Sequence, residues 1–180
     1  MKDKERLLVL LKEKSYLKKK VILSSGKESN FYIDVKQTAL HPEGMVLIGK
    51  LIFERLKTGE KVEAIGGMTM GADPLTVATS FFSYLEKKPL PSFFIRKEPK
   101  KHGTAQWVEG TYNLKSGMPV AIIEDVVTTG ASTLLAIERA IQAGYVVKRV
   151  IAIVDREEGG KEEIQKAGYA LESLFTQSDF

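Results

Sequence analysis

Val120-Ala121-Ile122-Ile123-Glu124-Asp125-Val126-Val127-Thr128-Thr129-Gly130-Ala131-Ser132-Thr133 is the stretch on which the reading of this chain turns. Pro119 to Ile123 is an almost unbroken apolar run. Apolar residues without alternation mark a strand buried on both faces. The run enters two acids, then a turn rich in hydroxyls and glycine, then a helical pattern from Ala131 to Ala143 that Gly144 stops. Strand, turn and covering helix are the repeating unit of a parallel α/β sheet. In such sheets ligands gather at the carboxyl ends of the strands.

The same unit recurs on either side. Upstream, Val62 to Ile65 predicts a strand ending in Gly66-Gly67. Asp73-Pro74 predicts a helix to Glu86, with Asp as cap and Pro in the first turn. Ser92 to Ile95 is a further strand. Downstream, Tyr145 to Val154 and Tyr169 to Leu174 are strands flanking a short helix, Gly160 to Ala167. The first forty residues break the alternation. Asp3 to Lys14 reads as an amphipathic helix with Leu7, Leu8, Leu10 and Leu11 on its apolar side. Val21 to Leu23 and Phe31 to Val35 read as strands around the turn Ser24-Ser25-Gly26. His41-Pro42-Glu43-Gly44 introduces a helix from Met45 to Leu56. The expectation is one domain over 1–180, with residues 1–40 as a small appended cap.

Composition narrows the classes. With 180 residues, 43% of them hydrophobic and 28% charged, the chain can build a core, which excludes disorder as its dominant state. Without cysteine there is no disulfide, thiolate metal site or cysteine nucleophile. No apolar run approaches the ~20 residues of a membrane span. The N-terminus mixes acids and bases and lacks the apolar core of a signal peptide, so the expected compartment is the cytoplasm. The net charge is +4, and Arg96-Lys97-Glu98-Pro99-Lys100-Lys101 carries four bases against one acid. That is too little for a nucleic-acid surface but enough for a small polyanion. The basic run lies in a long gap between Ile95 and Pro119 that also holds His102-Gly103-Thr104, a weak strand at Trp107-Val108, and Gly110. It reads as a charged, glycine-hinged lid.

The acid pair and the turn after it suggest a ligand. A helix N-terminus offers unpaired N–H groups and positive dipole, so the turn from Thr128 to Thr133 suits a phosphate monoester. The hydroxyls of Thr128, Thr129, Ser132 and Thr133 would add donors. Glu124 and Asp125 would repel phosphate, so their natural partners are sugar hydroxyls or a divalent cation. Phosphate on one side and vicinal hydroxyls on the other describe a ribose 5-phosphate. The plainer alternative, capping by Thr and Ser, leaves two acids at the end of a buried strand unexplained. Gly66-Gly67-Met68-Thr69-Met70-Gly71 has Walker-loop glycine spacing, but Ala72-Asp73 follows where Lys and Ser/Thr belong. Its amides suit a second phosphate group or simply a tight turn.

Glu124 to Ser132 resembles the 5-phosphoribosyl-1-diphosphate (PRPP) signature of the type I phosphoribosyltransferases. Ser24 to Asp34, Arg96 to Gly103 and Asp155-Arg156-Glu157-Glu158-Gly159-Gly160 are similar to the hood, lid and arginine segments of the family's orotate-using branch. Two positions depart from some members. Ser24 stands in place of a lysine, and Thr69-Met70 in place of a Tyr-Lys pair.

The resemblance implies a parallel five-stranded core sheet with a small N-terminal hood. It implies transfer of ribose 5-phosphate from PRPP to a ring nitrogen of orotate, with release of diphosphate, in de novo pyrimidine (UMP) biosynthesis. PRPP would be held by Arg96, Lys97, Lys100, His102, Glu124, Asp125, Val126, Val127, Thr128, Thr129, Gly130, Ala131 and Ser132, with Lys100, His102 and Asp125 nearest the chemistry. Orotate would be held by Thr128 and Arg156, a guanidinium suited to a carboxylate; a surface ion pair with Glu157 or Glu158 is the plainer role for Arg156. Mg2+ would be carried mainly by PRPP, and the lid would close on PRPP and reach the other subunit of a homodimer. No nucleic acid or membrane partner is implied. A purine, uracil or xanthine phosphoribosyltransferase would share the Glu124-Asp125 turn but not the lid and Asp155-Arg156 segments. A PRPP-sensing DNA regulator would need a helix-turn-helix, for which the reading finds no segment.

Overall fold

The computed structural model describes residues 2–18, 21–22, 28–29, 31–99 and 106–180. Helix α1 (Asp3–Lys14) is followed by short strands β1 (Tyr16–Leu17), β2 (Val21–Ile22), β3 (Glu28–Ser29) and β4 (Tyr32–Ile33). β1 pairs with β4 and β2 with β3, both antiparallel. Helices α2 (Lys36–Ala39) and α3 (Pro42–Leu56) lead into β5 (Ala64–Met68), α4 (Asp73–Leu85), β6 (Ser92–Ile95) and β7 (Val108–Glu109). Then come β8 (Pro119–Val127), α5 (Ala131–Gln142), β9 (Val146–Asp155), α6 (Gly160–Lys166) and β10 (Leu171–Thr176).

The main sheet has six strands in the order β10-β9-β8-β5-β6-β7. Five are parallel, as the alternating pattern predicts, and β7 closes one edge antiparallel to β6. Successive side chains of a strand point to opposite faces. In β8, Ala121 and Ile123 join a cluster with Leu7 and Leu10 of α1 and Ile48 and Ile52 of α3. Val120 and Ile122 join the opposite cluster with Ala136, Ile137 and Ala140 of α5. Each fully buried aliphatic of this kind contributes about 1.5–3 kcal/mol. The first helix is not set apart from the sheet: Leu7, Leu10 and Leu11 share its core.

The boundaries differ from the sequence reading for identifiable reasons. β5 runs on through Gly66 and Gly67 to Met68. These glycines are packing positions: a Cβ at Gly66 would lie 2.3 Å from the Phe93 ring, and one at Gly67 2.1 Å from the Ile123 carbonyl oxygen. β8 carries on through both acids to Val127. Asp73 is the first helical residue and not the cap, which is Ala72; its carboxylate accepts the Thr69 hydroxyl at 3.1 Å. The strand expected from Phe31 to Val35 shortens to Tyr32–Ile33, because the Asp34 carboxylate accepts the backbone N–H of Lys36 and turns the chain into α2. The turn Ser24-Ser25-Gly26 lies outside the described residues.

The strand order fixes where a ligand can sit. From β5 the chain moves to β6 on one side, then crosses to β8 on the other and continues outward through β9 and β10. β5 and β8 therefore flank the point where the winding reverses, and a crevice opens beyond their carboxyl ends. Among the described residues, no helix is long and apolar enough to cross a membrane.

Candidate active site

A cleft of about 390 Å³ lies at that reversal point, lined by Met68 to Gly71 after β5, Glu124 to Val126 of β8, Ser132, Lys36 and Lys97. The Thr69–Met70 peptide in its wall is cis. The two acids differ sharply. Glu124 is 5% exposed; its carboxylate accepts the Thr133 hydroxyl at 3.1 Å and the Asp125 backbone N–H at 3.3 Å. Burial, and then the neighbouring Asp125 charge, raise its pKa well above the ordinary value. Asp125 is half-buried at the cleft surface. Its Oδ1 accepts the Val126 N–H at 2.9 Å, and its Oδ2 lies 3.9 Å from Lys36 Nζ. Glycine at 71 makes room for it, since a Cβ there would lie 2.5 Å from Oδ1.

Lys36 was not singled out by the sequence reading. Its ammonium is 2.6 Å from Asp34. Burial would lower its pKa, but the bond to Asp34 and the charges of Asp125 and Asp34 outweigh it and raise it. Asp34 is moved the other way: burial pushes it up, and the bonds from Lys36 and Gln37 prevail and lower it.

The turn between β8 and α5 has the form of an anion cradle. Gly130, at φ 81°, is the N-terminal cap of α5, and no side chain caps that helix. A Cβ on Gly130 would meet the Gly160 carbonyl oxygen at 2.9 Å, and Gly160 N–H donates to the Thr128 carbonyl at 3.0 Å. Two glycines thus hold the turn against the start of α6. Ala131 and Ser132 are exposed and Thr128 and Thr129 half-buried. Thr133 departs from expectation: it is buried and spends its hydroxyl on Glu124, so it adds no donor to the cradle. The Val127 side chain packs in the core with Ala152 and Ile164.

Lys97 lines the cleft, whereas the Arg96 side chain pairs with Glu109 at 3.1 Å and donates to the Glu98 carbonyl at 3.2 Å. Lys100, Lys101, His102 and Gly103 lie outside the described residues. Beyond Thr128, the backbone N–H of Arg156 donates to the Val127 carbonyl at 2.9 Å, which sets the two expected orotate residues on adjoining strand ends. Arg156 does pair with Glu158, at 2.7 Å, but not at the surface: it is 3% exposed and its guanidinium lies 4.4 Å over the Phe31 ring. Phe31 stacks on Tyr16 with centroids 5.7 Å apart. Phe31, inside the hood segment, is therefore a second side chain that the sequence reading did not assign a role.

Among the described residues no three His, Asp or Glu side chains converge as a metal cage. The donor set here, Asp125 at a cleft edge beside an anion cradle, fits an ion coordinated chiefly by a ligand's own oxygens.

No family model matches the chain. It is 49% identical over 178 residues to an orotate phosphoribosyltransferase of Sorangium cellulosum, covering 99% of this chain and 93% of that protein. The crystal structure of Mycobacterium tuberculosis orotate phosphoribosyltransferase with Fe(III) dicitrate superposes with a TM-score of 0.85 at 32% identity, over 99% of this chain and 98% of that one. The same enzyme solved with PRPP gives a TM-score of 0.81 at 31% identity, over 99% and 98%. A parallel sheet reversing at β5 and β8, an acid pair leading into an uncapped helix, and relatives of this similarity over nearly the whole length lead to one conclusion: the chain belongs to the orotate phosphoribosyltransferase family, with the type I phosphoribosyltransferase fold.

Proposed function

We propose that this protein transfers ribose 5-phosphate from PRPP to a ring nitrogen of orotate, giving orotidine 5'-phosphate and diphosphate, a step of pyrimidine nucleotide synthesis. The observation that carries the reading is the acid pair of β8 ending beside the uncapped start of α5, at the point where the sheet reverses. The M. tuberculosis relative solved with PRPP supports the donor.

In this reading the 5-phosphate sits on the turn from Thr128 to Ser132, held by backbone N–H groups and the dipole of α5. Asp125 and Glu124 accept the ribose hydroxyls. Charge grows on the diphosphate as the C1–O bond breaks, and C1 acquires oxocarbenium character. Lys97, with Arg96, Lys100 and His102 of the lid, answers the first charge. The carboxylate of Asp125 sits near the second. Arg156 grips the carboxylate that separates orotate from uracil, with Thr128 and the Phe31 ring beside it. Mg2+ would be held by PRPP with Asp125 nearby, and when bound it neutralises diphosphate charge. A closed lid would exclude water and strengthen each of these interactions.

The reading extends to a homodimer. Val77, Phe81, Tyr84 and Leu85 of α4 are large apolar side chains left exposed on one helix, with Phe81 66% and Tyr84 72% exposed. A second copy of the chain would cover them. A cytoplasmic setting accords with a chain that has no cysteine.

The test is loss of orotate on adding PRPP and Mg2+, repeated with Asp125→Asn and Arg156→Ala. Turnover in the unaltered protein with a large loss in both variants is expected. Unchanged turnover in both would remove the site assignment.

A further inference from the structure

Arg139 lies on α5, the helix whose first turn forms the phosphate cradle, yet it points away from that turn to the root of the lid. It is 9% exposed. Its Nη1 donates to the Arg96 carbonyl and approaches Met68 Sδ at 3.8 Å, and its Nη2 donates to the Lys97 carbonyl at 3.2 Å. Its guanidinium carbon lies 3.8 Å over the Trp107 ring. Among the described residues no carboxylate pairs with it.

Each contact belongs to a different part of the site. Met68 ends β5 and opens the cleft wall. Arg96 and Lys97 are the outgoing arm of the lid, and Trp107 is its returning arm. The arms are tied to each other as well, since Arg96 N–H donates to the Trp107 carbonyl at 2.8 Å. In an extended strand consecutive carbonyls point to opposite sides. Here those of Arg96 and Lys97 both turn to one guanidinium, so the chain bends just after Ile95, and the bend aims Lys97 into the cleft. A buried cation is costly without partners. This one is matched by two carbonyls and an aromatic face, a set that a planar five-donor fork satisfies and an ammonium does not.

We infer that Arg139 is a positioning residue for the lid: by pinning both arms to the phosphate-binding helix, it fixes where Lys97 meets the departing diphosphate. The inference rests on the proposed reaction. It concerns only the donor end of the site.

The experiment is a double-mutant cycle on the full-length protein, with Arg139→Gln, Lys97→Ala and the pair. PRPP dissociation constants and steady-state constants for both substrates are measured per folded molecule. Turnover by the unaltered protein comes first; its absence would reject the proposed function and leave the lid geometry untouched. Given turnover, Arg139→Gln should raise the PRPP KM by roughly 10- to 100-fold, the range of one or two charge-assisted hydrogen bonds. The orotate KM should stay within about twofold. Lys97→Ala should cost much less in the Arg139→Gln background than alone, and Arg139→Lys should fail to restore PRPP binding. Should Arg139→Gln not fold, the same cycle run with Trp107→Leu, which removes the stacked ring and keeps an apolar side chain against the core, decides the matter. Equal rises in both KM values, or a Lys97→Ala cost that is the same in both backgrounds, would overturn the inference and leave Arg139 a packing residue.

Discussion

Gly71→Ala separates the fold from the chemistry with a single methyl group. The new Cβ would stand 2.5 Å from Asp125 Oδ1, 2.6 Å from Cγ and 2.8 Å from Oδ2. Ordinary contact begins near 3.4 Å, so the carboxylate must retreat by about 1 Å. The obstructed atoms end a side chain, so it can rotate without moving backbone. The retreat breaks the 2.9 Å bond from Val126 N–H, a loss of about 0.5–1.5 kcal/mol. For a chain of this size that lowers Tm by about 1–6 °C. Displacing a reacting-site group by about 1 Å can cost on the order of 100-fold in rate. The expected result is therefore a folded protein with Tm nearly intact and orotate turnover down about 100-fold, close to Asp125→Asn. Thermal denaturation and an absorbance assay with PRPP and Mg2+ read the two effects separately. Turnover within about threefold of the unaltered protein would refute the argument that Asp125 must stand where glycine 71 lets it stand.

Gly67→Ala should do the reverse. Its Cβ would lie 2.1 Å from the Ile123 carbonyl oxygen, a backbone atom that cannot rotate away, so a stability loss of about 1–3 kcal/mol or more in urea unfolding is expected. Glu124→Gln should change how stability depends on pH. Burial raises the Glu124 pKa, so folding holds its proton more tightly, and its contribution is complete below the ordinary 4.5 and lost as pH rises toward the folded value. The Gln variant lacks that decline, and its stability relative to the unaltered protein should improve from pH 4.5 to pH 8 in denaturant titrations. Arg156→Lys should raise the orotate KM by about tenfold or more, with the PRPP KM little changed, because an ammonium cannot match a guanidinium's two-pronged hold on a carboxylate.

The parallel sheet was legible because its strands are apolar on both faces, and the acid pair because its members are adjacent and close a buried run. What the sequence hid has two causes. Gly66 and Gly67 read as turn punctuation, yet they are strand residues, glycine because Phe93 and the Ile123 backbone press against them. No local pattern distinguishes those uses. Lys36, Phe31 and Arg139 matter through partners far along the chain, Asp125, Arg156 and Lys97 respectively. A charge at 36 says nothing of a carboxylate at 125 until the start of α2 is brought against the end of β8. Thr133 is different, because its signal was present. It shares helical spacing with Ala136, Ile137 and Ala140, all buried, and that period points it inward, away from the cradle.

The acid pair raised a difficulty that the structure resolves. Two carboxylates beside a phosphate turn should repel the ligand they serve. Glu124 is the more buried acid and is bonded to Thr133, and burial with the neighbouring Asp125 charge raises its pKa. Asp125, half-buried, is the more open of the two acids that line the cleft, with the Lys36 ammonium 3.9 Å away and Lys97 among the other lining residues. The charge an arriving polyanion meets is thus set by the half-buried Asp125, the Lys36–Asp34 pair and Lys97, where the sequence suggested two carboxylates alone. Lys36 also supplies a cation to a cleft whose lining includes Met70, an uncharged side chain. The balance between attracting diphosphate and accepting sugar hydroxyls is therefore struck by burial: one acid is mostly buried and bonded to Thr133, and its more open neighbour stands beside a lysine.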